Sequence, residues 1–347
     1  MKFLIRADAS VEIGTGHVMR CLALAKALIS SGREVVFVFQ QMPDHLVEKV
    51  KQIGCSPFYL NSEYPVGSIE DAVYVSSKID NAFQNGFDWM IIDHYQIGDI
   101  WEKGMYRIAK NILVIDDLAN RTHICNILLD QNLYEISDSR YNKLTKNAKQ
   151  LIGPSYALLR DEFHLERKKV KTRSGAIRRV LVTFGGTDPT NETLRSLYAL
   201  DKEGILDSNL DFDILVGQSY GHLNELRKIV DSKSSLNLHI QSNSVAALMN
   251  EADLAICSGG TLTWERYCMG LPGLVIAVAE NQIHNAIMGE KLGIDRFLGF
   301  HSDVSDCDIV NNLMDYQGEL GNNSLTAFDI VDGRGVEKVI KNFEATI

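Results

Sequence analysis

The chain has 347 residues, 45% of them apolar, and its 35 lysines and arginines are outnumbered by 45 aspartates and glutamates. This length exceeds one typical hydrophobic core and predicts two domains. The formal net charge of −10 argues against nucleic acid or an anionic membrane surface as a partner. No apolar run approaches the roughly 20 residues of a membrane span, and the start is unlike a signal peptide. Six cysteines without a CxxC pair favour buried, reduced thiols in the cytoplasm.

Short apolar runs alternate with helical stretches through the first half of the chain. This alternation predicts a parallel sheet covered by helices on both faces. After the first run, "HVMRCLALAKALISSG" predicts an amphipathic helix with Gly32 as its C-terminal stop. The predicted strands are 3–5, 34–39, 88–93, 111–116 and 127–130.

The highly charged stretch 161–179 interrupts this pattern, which then restarts. We therefore predict a first domain over 1–165, a linker over 166–178 and a second domain over 179–330. A terminal helix within 331–347 could pack back on the first domain. The predicted strands of the second half are 179–186, 212–217, 236–241, 252–260 and 271–279.

The stretch "EIGTGHVMRC" follows the first predicted strand and raises the question of what His17 does. Glycines permit close backbone approach, and the first amides of a helix attract an anion, so Gly14, Thr15 and Gly16 are typical of a phosphate loop. The stretch is neither a dinucleotide fingerprint, because Met19 stands where a glycine is needed, nor a Walker loop. Spacing alone leaves a purely structural turn equally open.

A catalytic role for His17 would require a carboxylate partner, which Asp8 or Asp93 could supply. Asp93, His94 and Tyr95 end a predicted strand and are expected to project toward a ligand. An ordinary polar strand exit is the alternative. The acid pair 116–117 ends another strand, but without metal-ligand spacing we expect hydroxyl binding or capping there and no metal.

Two Gly-rich turns follow strands in the second half. Gly185 and Gly186 form the first, after which Asp188 or Thr190 could cap a helix. The second turn runs from Ser258 through Gly259 and Gly260 to Thr261 and is suited to a diphosphate. Glu265 lies about one helical turn further, where a carboxylate suits a ribose. The strand exit Asn281–Gln282 follows, whereas His239 and His284 have no partner visible in the sequence.

Taken in order, "RADAS", "IGTGHVMRCLALA", "IIDHY", "IDDLANRTH", "GPSYALLR", "FGGTDP", "SGGTLTWE" and "AENQ" resemble the PseG family of nucleotide-sugar hydrolases. The resemblance covers about residues 3 to 290, and Asn126 stands where the family would have an acidic residue. A more distant similarity is to MurG-type glycosyltransferases. These resemblances imply a GT-B-like α/β fold, with two Rossmann-like domains whose parallel sheets face each other across a cleft.

The resemblance implies hydrolysis of UDP-2,4-diacetamido-2,4,6-trideoxy-β-L-altropyranose to UDP and the free sugar. This step belongs to pseudaminic acid biosynthesis, which serves flagellin glycosylation. His17 would be the general base that activates water at the anomeric carbon. No cofactor and no metal are implied, and the expected partners are the UDP-sugar and water. The expected sugar-side residues are Arg6, Asp8, Gly14, Thr15, Gly16, Arg20, Asp93, His94 and Tyr95, and the expected UDP-side residues are Arg160, Gly185, Gly186, Asp188, Ser258, Gly259, Gly260, Thr261, Glu265, Asn281 and Gln282.

Two other functions remain open from the sequence. A glycosyltransferase on the same scaffold would require a bound acceptor, and a non-catalytic module would bind UDP-sugar without turnover. The sequence leaves the stereochemistry of the sugar, C–O against P–O cleavage and the oligomeric state undetermined.

Overall fold

The computed structural model describes residues 1–10, 13–135, 139–170, 173–316 and 320–345. The chain divides into two compact units. The first comprises Met1–Arg160 together with Arg334–Ile347, and the second comprises Asp161–Gly333.

Each unit contains one all-parallel sheet. In the first unit the spatial order is β3-β2-β1-β4-β5-β6-β7, and in the second it is β10-β9-β8-β11-β12-β13. The strands of the first unit are β1 (Lys2–Ala7), β2 (Glu34–Phe39), β3 (Ser56–Tyr59), β4 (Phe87–Asp93), β5 (Ala109–Ile115), β6 (Ile127–Asp130) and β7 (Lys149–Ile152). Those of the second are β8 (Arg179–Thr183), β9 (Asp211–Val216), β10 (Leu236–Ile240), β11 (Leu254–Ser258), β12 (Gly273–Ala277) and β13 (Arg296–Phe300).

Helices connect consecutive parallel strands in most cases. In chain order they are α1 (Gly16–Ser30), α2 (Asp44–Gln52), α3 (Ile69–Ala82), α4 (Asp99–Met105), α5 (Asp161–Arg167), α6 (Glu192–Lys202), α7 (Leu223–Ser232), α8 (Val245–Glu251), α9 (Leu262–Cys268), α10 (Glu280–Lys291), α11 (Asp306–Met314), α12 (Leu320–Ile330) and α13 (Gly335–Ala345). None of these described helices is long and apolar enough to cross a bilayer. The α/β prediction is confirmed, and every predicted strand overlaps an observed one.

The strands of the first unit are apolar on both faces because helices cover both. In β1, Phe3 and Ile5 belong to one core cluster, and Leu4 between them belongs to another on the opposite face. This double burial explains the continuous apolar runs in the sequence, since a half-exposed strand would alternate with polar residues.

The C-terminal helix α13 belongs to the first unit. Phe343 on this helix packs against Phe3 of β1 and Trp89 of β4, with ring centroids 5.2 and 4.7 Å apart. All three side chains are buried. Helix α13 therefore contributes to the same hydrophobic core as strand β1.

The boundary between the units differs from the predicted linker over 166–178. It lies between Arg160 and Asp161, and 161–178 group with the second unit. Positions 171 and 172 lie outside the described residues. Arg173 is buried, and its guanidinium donates to the carbonyl oxygens of Ala252, Met269, Gly270 and Met249. Arg173, one of the charged residues that suggested a solvated linker, thus donates hydrogen bonds to carbonyl oxygens at the C-terminal ends of helices in the second unit.

The expectation of buried thiols holds for five cysteines and is wrong for one. Cys21, Cys55, Cys125, Cys257 and Cys268 are buried, whereas Cys307 on α11 is exposed.

Candidate active site

The turn before α1 occurs at the point where the strand order of the first sheet reverses. Strand β1 lies between β2 and β4, and the chain leaves β1 toward α1 at this edge. Ligands of open parallel sheets bind at the carboxyl ends of strands beside such a reversal. Gly14 has a φ of +77°, in the left-handed region that favours glycine, and its amide donates to the Ser10 carbonyl at 2.9 Å. The turn places His17 in the first turn of α1.

His17 is paired with a buried carboxylate. Asp93 is the last residue of β4 and is in register with Ala7, the last residue of β1. The His17 Nδ1 lies 2.6 Å from the Asp93 Oδ1. Because an ionised carboxylate only accepts hydrogen bonds, Nδ1 carries the proton in this contact. No described residue hydrogen-bonds Nε2, so this second nitrogen is available to take a proton.

Arg20 lies about one turn after His17 on α1 and binds the same Asp93 carboxylate. Its Nε donates to the Asp93 Oδ2 at 2.6 Å and one Nη to Oδ1 at 2.7 Å. Its other Nη donates to Asp117 at 3.2 Å. Burial favours a higher pKa for Asp93, but the charge of Arg20 and the hydrogen bonds from Arg20 and His17 outweigh it and hold that pKa well below the usual range. The Arg20 guanidinium is thus engaged within the protein, with Asp93 and Asp117 as its partners.

Tyr95 packs its ring edge-on against His17, with centroids 4.6 Å apart and planes at 84°. Its hydroxyl is hydrogen-bonded to Asp117. Burial and the Asp117 charge raise the pKa of Tyr95 well above its usual value, so the phenol stays protonated. Tyr95, expected from the sequence on the sugar side, thus lies beside His17. Asp117, for which the sequence predicted hydroxyl binding or capping, is also a member of this cluster.

Three other expected substrate contacts form a separate buried network. Both nitrogens of the Arg6 terminus contact the Asp8 carboxylate, at 2.6 and 2.8 Å, and the Gln40 amide donates to it at 2.7 Å. The His94 Nε2 lies 3.4 Å from the same carboxylate, and the His94 Nδ1 accepts from the Gln96 amide at 3.2 Å. These groups bind one another, and the carboxylate partner of His17 is Asp93 and not Asp8.

Asp116 and Asp117, the acid pair after β5, have different partners. The Asp116 Oδ1 lies 2.8 Å from Arg121, and its Oδ2 accepts from the Tyr141 hydroxyl at 3.0 Å. Asp117 instead faces Arg20, as described above. Among the described residues, no group of three or more histidines, cysteines, aspartates or glutamates is placed to hold a metal ion.

In the second unit, two Gly-rich loops flank the equivalent reversal between β8 and β11. Gly185, after β8, has a φ of +95°. A Cβ on Gly217, which follows β9, would lie 2.3 Å from the Gly186 carbonyl oxygen. Glycine is therefore required at Gly217, because the loops after β8 and β9 touch through their backbones.

The loop after β11 is tied to the start of α10 by Gln282. The side-chain oxygen of Gln282 accepts from the Gly259 amide at 3.2 Å and from the Val278 amide at 3.1 Å. Gln282 thus shapes the loop over Ser258–Thr261, and its oxygen is already engaged. Gly260 lies beside the Gln282 amide nitrogen. The structure brings these predicted residues together.

The remaining predicted UDP-side residues have different surroundings. Asp188 is buried and accepts from the amides of Glu192 and Thr193 at 3.0 and 2.8 Å, so it caps α6. Glu265 is half-buried on α9, and Asn281 is exposed at the start of α10. Arg160 is half-buried and is the last residue of the first unit before the boundary.

Comparison with known proteins finds three relatives. The chain is 28% identical over 297 residues to UDP-2,4-diacetamido-2,4,6-trideoxy-beta-L-altropyranose hydrolase of Campylobacter jejuni, covering 85% of this chain and 98% of that protein. It is 26% identical to spore coat polysaccharide biosynthesis protein SpsG of Bacillus subtilis, covering 87% and 85% of the two chains. An uncharacterized protein of Methanocaldococcus jannaschii is 26% identical over 84% of this chain. The chain spans only 58% of that last relative's length.

No protein-family model matches the chain. Among solved structures, MurG of Acinetobacter baumannii matches with a TM-score of 0.65 at 13% identity, covering 99% of this chain and 100% of that one. The spinosyn rhamnosyltransferase SpnG matches with a TM-score of 0.64 at 14% identity, over 98% and 99% of the chains. The two Rossmann-like domains therefore have the fold of GT-B glycosyltransferases.

Proposed function

We propose that this chain hydrolyses a UDP-sugar and that His17 is its general base. The observation that carries the proposal is the His17–Asp93 pair at the strand-order reversal of the first sheet. Asp93 holds Nδ1, and Nε2 has no partner among the described residues. A histidine held in this way can accept a proton from a bound water.

In the proposed reaction, the His17 Nε2 takes a proton from water as the water oxygen attacks the anomeric carbon. The bond between this carbon and the phosphate oxygen breaks, and UDP leaves with the electron pair. The products are the free sugar, which gains the hydroxyl, and UDP. Asp93 stabilises the imidazolium formed in this step, because the two groups are 2.6 Å apart.

We assign UDP binding to the second unit. The loops at Gly185–Gly186 and Ser258–Thr261 flank the reversal in its sheet, where open α/β sheets bind ligands. Their backbone amides suit a diphosphate, and Glu265 suits the ribose diol. Thr261 and Asn281 are exposed at this edge and can contribute polar groups. We assign Gln282 and Asp188 supporting roles, because their side-chain oxygens are bonded within the unit.

For the sugar, we propose UDP-2,4-diacetamido-2,4,6-trideoxy-β-L-altropyranose, a substrate of pseudaminic acid biosynthesis. The support is the Campylobacter jejuni relative, whose name gives this hydrolase activity and whose length the match covers to 98%. Glycosyl transfer is the second candidate, and the fold match to MurG and SpnG favours it.

Release of UDP without an acceptor separates the two candidates. The protein is incubated with a panel of UDP-sugars in ¹⁸O-labelled water, and UDP and the sugar are analysed by mass spectrometry. We expect UDP release from the diacetamido sugar, with the label on the sugar. A label on UDP would show attack at phosphorus. Release that depends on an added sugar or peptide acceptor would support the transferase and contradict the hydrolase.

The same assay tests the absence of a metal requirement. Because Asp116 and Asp117 are engaged with Arg121 and Arg20, we expect full activity after exhaustive treatment with a chelator. Activity that is lost and then restored by magnesium or manganese would contradict this expectation and return the acid pair as metal ligands.

A further inference from the structure

We propose that Arg20 and Asp117 are positioning residues for His17, acting through Asp93. In this arrangement Asp117 holds Arg20, Arg20 holds both oxygens of Asp93, and Asp93 orients the imidazole ring. The effect on rate rests on the proposed function, whereas the effect on the histidine ring can be measured without any substrate.

The first argument is the use of the Arg20 donors. The guanidinium plane carries five N–H groups in a rigid fork that matches a carboxylate. Nε and one Nη bind the two Asp93 oxygens, and the other Nη binds Asp117. The side chain of Arg20 is 4% exposed. Burial and these three contacts therefore leave little of the guanidinium accessible to a substrate phosphate or hydroxyl.

The second argument is that the Asp93 carboxylate is held on every side. Its Oδ1 accepts from His17 and Arg20, and its Oδ2 accepts from Arg20 and contacts the Cys21 thiol at 3.6 Å. A carboxylate held by a bidentate guanidinium cannot rotate without breaking two charged hydrogen bonds. The His17 ring, bonded to one of these oxygens and touched by the Tyr95 ring, inherits that orientation.

The third argument is the anchoring of Asp117. Its carboxylate accepts from Arg20 and is hydrogen-bonded to the Tyr95 hydroxyl. Its backbone carbonyl accepts from Arg140 at 2.9 Å and from the Tyr134 hydroxyl at 3.3 Å. Asp117 is thus fixed through both its main chain and its side chain, and it links the end of β5 to α1.

The arrangement also sets the charge around His17. From β4 and the segment after it, Asp93 and the neutral Tyr95 face the ring. From α1, Cys21 lies beside the shared carboxylate, and one Arg20 Nη lies beside that carboxylate and 3.3 Å from the His17 Nδ1. The positive charge of Arg20 offsets that of Asp93, so the carboxylate orients the ring while stabilising the imidazolium less than a lone aspartate would. Removal of Arg20 should therefore change both the orientation of the His17 ring and the charge around it.

Two substitutions of Arg20 separate these effects in a hydrolysis assay. Arg20→Lys keeps the charge and loses the fork, so we expect kcat to fall on the order of 10²-fold, with KM within about twofold and the acidic limb of the pH–rate profile unmoved. Arg20→Met should lower kcat at least as much and move that limb to higher pH. Lys26→Met, an exposed cation on the same helix, is the control and should match the parent protein.

Asp117→Asn keeps an acceptor oxygen for Arg20 but removes the negative charge that binds the guanidinium. We therefore expect kcat to fall, but by less than in Arg20→Lys. An increase in KM of tenfold or more with kcat unchanged in Arg20→Lys would identify a substrate ligand and overturn the proposal. Equal behaviour of Arg20→Lys, Arg20→Met and Lys26→Met would overturn it as well.

Nitrogen-15 NMR of the histidine rings, without substrate, tests the positioning independently of the reaction. We expect His17 to be protonated at Nδ1 in the parent protein and in Lys26→Met, and to populate both tautomers in Arg20→Lys. The same tautomer mixture in all variants would overturn the positioning role, even if UDP-sugar hydrolysis is observed. The expected mixture in a protein that releases no UDP would instead support the positioning and refute the proposed function.

Discussion

His17 and Glu265 are proposed to serve different parts of one reaction, and their surroundings lead to opposite expectations. His17 is buried against Asp93, with one ring nitrogen engaged. Glu265 is half-buried on a helix of the other unit. A substitution at the first should therefore affect turnover, whereas a substitution at the second should affect binding.

His17→Asn should lose turnover by a factor on the order of 10²–10⁴, the usual contribution of a general base. UDP affinity should be retained, because UDP is assigned to the second unit. In the parent protein, the rate should fall as the pH is lowered, since an imidazolium cannot accept a proton. Steady-state kinetics and calorimetry with UDP measure the two effects, with His45→Asn on α2 as the control.

Turnover of His17→Asn near the parent rate would refute the catalytic role. His94 could not then simply replace it, because both of its ring nitrogens are engaged, one toward Asp8 and the other with the Gln96 amide.

Glu265→Ala should weaken UDP binding by about 1.5–3 kcal/mol, the cost of losing a charged hydrogen bond, and should change kcat little at saturating substrate. Glu203→Ala, an exposed glutamate of the same unit, is the matched control. Calorimetry with UDP measures the affinity. Normal affinity with a collapsed kcat would show that Glu265 acts on the reacting centre and not on the ribose.

At the scale of elements, the end of β6 contains a buried acid with an unusual proton affinity. Burial, together with the nearby Asp117 charge, raises the pKa of Asp130 to about 6, although the Asn132 amide and the Tyr141 hydroxyl oppose the shift. The folded state therefore binds a proton more tightly than the unfolded chain between about pH 4 and 6. Stability contributed by this group is present at low pH and is lost as the pH rises through 6.

Asp130→Asn should remove this loss. The shift of about 2 units corresponds to roughly 3 kcal/mol, so the variant should be more stable than the parent at pH 8 by up to about this amount and no more stable at pH 4. Urea denaturation at the two pH values measures the difference, with Asp231→Asn at an exposed position of α7 as the control. A variant that is equally destabilised at both pH values would show that Asp130 is ionised and structurally required.

The strands that the sequence did not reveal lie at sheet edges, although one edge strand, β10, was predicted. The unpredicted strands β3, β7 and β13 all lie at sheet edges and are only partly buried. Their segments, "SPFY", "KQLI" and "RFLGF", lack the long apolar runs of the central strands. Central strands are readable from sequence because helices cover both of their faces, and edge strands are not so constrained.

At the scale of the whole molecule, the last helix, α13, packs into the core of the first unit. Phe343→Ala should destabilise that unit by about 3–5 kcal/mol, because the ring is buried between Phe3 and Trp89. Hydrogen exchange distinguishes the units: amides of β1 and β4 should exchange two to three powers of ten faster, and those of β8 and β11 should be unchanged. Lys341→Ala, exposed on the same helix, is the control, and equal protection in both variants would contradict the packing role.

The sequence by itself determined the two α/β units, their central strands and the loops that follow them, because apolar runs, glycines and helix starts reflect local burial and backbone freedom. It also pointed to His17 and to two possible partners. Only the tertiary structure decided between these partners. The Asp8 carboxylate binds Arg6 and the Gln40 amide, whereas the Asp93 carboxylate binds His17. The roles of Arg20 and Asp117 likewise depend on which side chains adjoining strands and helices bring together, and no spacing along the chain encodes those distances.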